Sequence, residues 1–240
     1  DTETQLNQCE NAIASGADAL LFIPFDKDGA APIIDNCNEA GIPVICCNNI
    51  TTNVDQATAY VGANDVEAGI METEYIVDLI GGKGNIAVVE GPFGHSAQVA
   101  RQEGLEQVLA GYPDCKIVLD DTANWNRDEA MELVENWIAG GTQIDAIICH
   151  NDIMAMGALQ ACQDAGLEIP IIGIDATYDA LCAVKDGTLA ADVYQDGYGQ
   201  AEEALNVCMR ILNGETFEQT TYVPFKLITK DNVDEYLANF

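Results

Sequence analysis

Basic side chains are scarce in this chain: nine Lys and Arg stand against 40 Asp and Glu, a formal net charge of −31 at pH 7. Phosphate backbones and anionic headgroups are held by Lys and Arg that displace counterions. No nucleic-acid partner and no direct lipid-surface binding are therefore expected. Long apolar runs are also missing. None approaches the ~20 residues that cross a bilayer, and no secretory signal pattern stands at the start. The chain opens on an amphipathic pattern almost at Asp1, so we expect a fragment whose export signal, if it had one, has been removed. Any membrane link would then run through a lost lipid anchor.

Imidazole is nearly absent, with His95 and His150 alone. None of the nine cysteines forms a C-x-x-C pair, so a zinc site is not expected. Cys9, Cys37, Cys162 and Cys208 lie in helix-like stretches, and Cys46, Cys47, Cys115 and Cys149 in or beside strand-like ones. An odd count argues against a disulfide framework, and buried free thiols are the expectation. Catalytic signatures are wanting as well. GGKGN at 81–85 precedes a strand and lacks the phosphate-loop order, and Gly94-His95-Ser96 is not a nucleophile elbow. The expected inventory is no catalytic residue, no cofactor and no metal.

What the chain does have is alternation. Apolar runs at 19–25, 43–48, 59–62, 85–90, 116–120, 145–150, 171–175 and 191–195 read as strands. Helical patterns fall at 4–15, 30–40, 67–80, 97–110, 127–139, 153–165, 180–185 and 199–212, many followed by glycine, which closes helices in the left-handed conformation. Strand–helix–strand repetition predicts an α/β fold with parallel sheets and right-handed crossovers. At 240 residues the chain can build one large sheet or two lobes. Turns at 60–65 and 196–199 are the candidate crossings, and Trp137 beside Leu133 is read as core packing.

Polar residues stand where these strands end: Asn48 and Asn49, then His95 after GPFG, Trp125, Asn151–Asp152, Asp175 and Gln195. Ligands of open parallel sheets bind outside the carboxyl ends of the strands. Amides and a carboxylate can fork onto vicinal hydroxyls, and an indole can cover the C–H face of a sugar ring. Arg101, one of few cations, lies one and a half turns into the helix after His95, where it could bridge ligand oxygens or hold Asp175 ionised. The plainer reading of any one of these is a loop residue, and of Arg101 a surface cation.

The stretches IPVI with its polar sequel, GHSAQVARQEG, HNDIMAMGAL, GIDATYDA and DVYQDGYGQA together resemble the periplasmic sugar-binding proteins of the ribose and galactose/glucose type, the substrate receptors of ABC importers. The resemblance implies two Rossmann-like lobes, the type I periplasmic-binding-protein fold. The N-terminal lobe would hold 1–63 and 196–224, and the C-terminal lobe 64–195 and 225–240. It implies ligand contacts at Asn48, Asn49, His95, Arg101, Trp125, Asn151, Asp175 and Gln195, with Trp125 stacking. His95 and Trp125 look nearer the galactose/glucose receptors. Ala97 replaces an Asp of those receptors and Gln195 an Asn, and their calcium loop has no counterpart. A leading β-α-β unit of the family is missing, so the first lobe is expected to be incomplete.

The function so implied is closure of two lobes about a monosaccharide or polyol, galactose/glucose-like with pentose and inositol as further options, and delivery to an ABC permease. The receptor would be a periplasmic or extracellular monomer, lipid-anchored if at all. The alternative is the effector domain of a lac-repressor-type regulator, which would need a DNA-binding headpiece. An α/β hydrolase or sugar-modifying enzyme would need a base beside Ser96 or a carboxylate pair.

Overall fold

The computed structural model describes residues 1–238 and 240. The chain forms two compact units, residues 1–64 with 196–224 and residues 65–195 with 225–240. The first begins with α1 (Thr2–Ala14), β1 (Leu20–Phe22), α2 (Ala31–Ala40), β2 (Val44–Cys47) and β3 (Ala59–Gly62). The second follows as α3 (Asp65–Leu79), β4 (Gly84–Glu90), α4 (Ser96–Leu109), β5 (Cys115–Thr122), α5 (Arg127–Ala139), β6 (Ala146–Cys149), α6 (Asp152–Asp164), β7 (Ile171–Ile174), α7 (Tyr178–Asp186) and β8 (Ala191–Tyr194). The chain then returns to the first unit for α8 (Gly197–Leu212) and β9 (Thr220–Tyr222), and ends in the second with β10 (Lys226–Ile228) and α9 (Val233–Leu237).

The first unit carries a four-stranded parallel sheet, β1-β2-β3-β9. Its core packs Ile33, Ile34 and Cys37 of α2 against Phe22, Val44 and Cys46 on one face, and Ala204, Val207 and Cys208 of α8 against Ile45 and Val61 on the other. β1 is shorter than the run at 19–25 suggests. Pro24 has no N–H to give a ladder, and Ile23 and Phe25 are left exposed.

The second unit carries a six-stranded sheet, β10-β8-β7-β6-β4-β5. All pairs are parallel except β10 on β8. The segment 221–228 is thus two strands in two sheets, divided at Val223-Pro224-Phe225. Central strands are buried on both faces, so β6 and β7 read as unbroken apolar runs; Ile147, Ile148, Ile171 and Ile172 are fully buried. Each such side chain contributes about 1.5–3 kcal/mol through removal from water. Edge strand β5 alternates instead. Trp137 packs on this core with Leu133.

Helix ends follow their sequence signals in part. α2 and α7 close on Gly41 and Gly187 with φ of 68° and 82°. Gly111 departs from the expectation: α4 ends on right-handed Ala110, and Gly111 takes no positive φ. The nine cysteines are free thiols, seven of them buried and Cys47 and Cys182 half-buried.

Candidate functional site

In the second unit a group of polar side chains gathers at the carboxyl ends of the strands, and Arg101 is its centre. The side chain is 4% exposed, so the surface-cation reading is wrong. Its Nε and Nη2 donate to Asp65 Oδ1 at 2.9 and 2.8 Å, and Nη1 donates to the backbone carbonyl of His150. Burial alone would lower the guanidinium pKa. The charges of Asp65, Asp175 and Glu72 outweigh it and raise it.

Asp65 reaches Arg101 because α3 and α4 touch backbone to backbone. A Cβ at Gly69 would overlap the Arg101 carbonyl, and one at Gly104 the Val66 carbonyl. Two glycines therefore fix which turn of α4 faces which turn of α3.

Trp125 stands beside this pair. The Arg101 guanidinium lies 5.8 Å from its ring centroid, within cation–π range. The His95 ring meets it edge-on at 5.4 Å and 82°. Gly91 forms the floor under the indole, since a Cβ there would collide with the ring. His95 also caps α4, its Nδ1 accepting from Ala97 N at 3.2 Å. The loop before it is braced by Gln98, whose Oε1 accepts from Gly94 N at 3.0 Å and whose amide donates to buried Glu90. Burial raises the Glu90 pKa, while the Gln98 bond lowers it.

Asn151 caps α6, its Oδ1 accepting from Met154 N at 2.9 Å, a bond that leaves the amide N–H groups unused. Asp175 follows β7. Burial raises its pKa to about 6; Arg101 draws it down and Asp65 pushes it up. Gln195 is half-buried just past β8. Thus Arg101, Trp125, His95, Asp175 and the Asn151 position belong to one neighbourhood.

Asn48 and Asn49 belong to the first unit. Asn48 Nδ2 donates to Gln200 Oε1 at 2.9 Å, and the Tyr60 hydroxyl donates to the Asn48 carbonyl at 2.6 Å. Asn49 donates to the Pro24 carbonyl at 3.0 Å, tying the ends of β1 and β2 together.

Backbone strain marks the same positions. Asn48, Trp125 and Asp175 have φ of 59°, 59° and 129°, with Asn124 and Ala176 the other non-glycine residues at positive φ among the described residues. Such conformations cost about 1–3 kcal/mol each and concentrate at ligand clamps.

Several polar residues here escaped the sequence reading. Asp65 holds Arg101, and Gln200 pairs with Asn48 with its Nε2 buried and unpartnered. Glu72 is fully buried in α3 with neither carboxyl oxygen hydrogen-bonded. Burial raises its pKa well above the usual range, against the pull of Arg101. The His150 ring is fully buried with neither nitrogen partnered. Burial, then Arg101, lowers its pKa to about 3, so it is a neutral ring. Asp192 is fully buried as well, as is Asp152, which the sequence already places at a strand end.

Two parallel-sheet units with strand-end polar clusters are the architecture of solute receptors, and comparison with known proteins agrees. The chain belongs to the periplasmic binding protein family, whose domain model matches residues 1–216. It is 40% identical over 236 residues to a xylitol-binding protein of Mycolicibacterium smegmatis, covering 98% of this chain and 67% of that protein. It is 37% identical to a putative rhizopine-binding protein of Rhizobium meliloti, covering 98% of this chain and 79% of the relative. A solved ABC transporter solute-binding protein from Bacillus halodurans, with bound myo-inositol, superposes with a TM-score of 0.96 at 40% identity, covering 100% of this chain and 84% of that one. The chain is therefore shorter than these relatives, which are solute-binding proteins rather than enzymes.

Proposed function

We propose that this protein is the substrate-binding component of an ABC sugar importer and takes a monosaccharide or polyol. It would work in the periplasm or outside the cell and hand its ligand to a membrane permease. The observation that carries the reading is the cluster of buried Arg101 with half-buried Asp175 and Trp125 at the strand ends. Arg101 spends three of its five N–H donors on Asp65 and the His150 carbonyl, which leaves two. Asp175 accepts from a pair of hydroxyls, Asn151 donates through its amide, and Trp125 covers the apolar face of the ring. This kit grips neutral hydroxyls. His95, the imidazole next to Ser96, caps a helix through Nδ1 and so does not act as a base on that hydroxyl.

The xylitol-binding relative and the inositol-bound structure, each 40% identical, favour a polyol among the candidates. The residues singled out at the first unit, Asn48 and Asn49, and Gln195 in the second, are proposed as further ligand contacts.

Calorimetric titration of the full-length protein with myo-inositol, xylitol, ribose, xylose, allose, glucose and galactose tests this. Saturable binding of at least one, with quenching of Trp125 fluorescence, is expected. Absence of saturable binding across the panel would sink the proposal.

A further inference from the structure

Asp152 and Asp192 lie beneath the turn that carries Asp175, and neither has been given a role. Both side chains are fully buried. Asp152, at the start of α6, accepts from Thr177 N through Oδ2 at 2.6 Å. Asp192, inside β8, accepts from Ala176 N through Oδ1 at 3.2 Å. The two acids thus hold successive amides of a turn whose residues Asp175 and Ala176 sit at φ of 129° and 58°. Gly173 makes room for this, because a Cβ there would stand 2.5 Å from Asp152 Oδ1.

The remaining oxygens, Asp152 Oδ1 and Asp192 Oδ2, are buried and meet no donor. Yet the two carboxyl groups are within hydrogen-bonding range of each other. Two anions in that arrangement would repel with nothing between them. One proton would satisfy every atom: Oδ1–H of Asp152 would donate to Asp192 Oδ2, while Asp152 Oδ2 accepts from Thr177 N and Asp192 Oδ1 from Ala176 N.

We propose that Asp152 and Asp192 form a carboxylic acid–carboxylate pair sharing one proton, and that this pair positions the strained 175–177 turn so that Asp175 faces the ligand. The presentation of Asp175 to a ligand rests on the receptor function proposed above; the proton and the clamped turn do not. Burial raises both acids, and the charge of Asp175 adds to the rise in each. Glu72 from α3 also faces Asp192, and Arg101 from α4 faces Asp175 and Glu72. Asp152 and Asp192 are positioning residues, since they act on a ligand only through Asp175.

The test uses the full-length protein in a Glu72→Gln background, so that the buried acid facing Asp192 is silent. At pH 8, where exposed carboxyls are ionised, infrared spectra should keep a protonated-carboxyl carbonyl band that Asp152→Asn removes. In hydrogen exchange, Ala176 and Thr177 should be protected in the parent and in Asp152→Asn, whose amide replaces the O–H donor. They should exchange at least tenfold faster in Asp152→Ala. Lack of the band in the parent, or equal loosening in the Asn and Ala variants, would overturn the pair. If no sugar or polyol binds the parent, the proposed function fails, and the infrared and exchange results still decide the pair.

Discussion

Arg101 Nη2 stands 2.8 Å from Asp65 Oδ1, so the one buried guanidinium described is oriented before any ligand arrives. Pre-set donors cost a ligand less ordering entropy than mobile ones. Arg101→Leu would strip Asp65 of its partner and leave Asp175 without a counter-charge. Breaking a buried pair in this way costs about 3–5 kcal/mol. Urea denaturation should register that loss, and calorimetry a loss of sugar binding.

Gly91 gives a second, separable perturbation. Gly91→Ala forces the Trp125 ring off its floor while the Arg101–Asp65 pair stays intact. Affinity should fall by about tenfold, in line with loss of an aromatic contact of about 0.5–1.5 kcal/mol. The Trp125 emission maximum, read in a Trp137→Phe background, should shift even without ligand.

Ligand binding should weaken in acid. Asp175 accepts hydrogen bonds from two hydroxyls through both oxygens only when ionised, and its folded pKa is about 6. One unit below that value about a tenth of the carboxyl is ionised, so Kd should rise about tenfold between pH 7 and pH 5. A flat affinity profile across that range would show that Asp175 does not carry the ligand as its anion.

Stability should move the other way. Asp175 and Glu72 have folded pKa values above their unfolded ones. Between the two values the folded chain binds more protons than the unfolded chain, so stability is greatest below the unfolded pKa and is lost as pH rises through the folded one. The thermal midpoint should be higher at pH 5 than at pH 8. Glu72→Gln keeps the shape of the side chain and removes the buried ionisable group. It should raise the thermal midpoint at pH 8, and by less at pH 5.

The architecture was legible because a parallel sheet writes itself as apolar runs with helices between. The runs around β6 and β7 could be nothing but central strands once their short length was counted. Site positions were legible for the same reason, since they are where those runs stop. Arg101 stood out through the scarcity of cations. Asp65 and Glu72 did not, because a carboxylate on an amphipathic helix of an acidic protein looks like solvated surface. Asp192 did leave a trace: a charged residue between Ala191 and Val193 interrupts an otherwise buried strand. The positive φ values of Trp125 and Asp175 left none, since neither residue type advertises that conformation. Pro24 marks the break inside the run at 19–25, since it has no N–H for the ladder.

The contact of Gly69 with the Arg101 carbonyl, and of Gly104 with the Val66 carbonyl, has a mechanical meaning. Helices that interlock at their main chains cannot slide in small steps. Moving α4 by one residue means a translation of about 1.5 Å and a turn of about 100°, which would swing Arg101 out of reach of both Asp65 and Trp125. The two helices therefore behave as one stiff bar, and the guanidinium travels with α3 wherever that element goes.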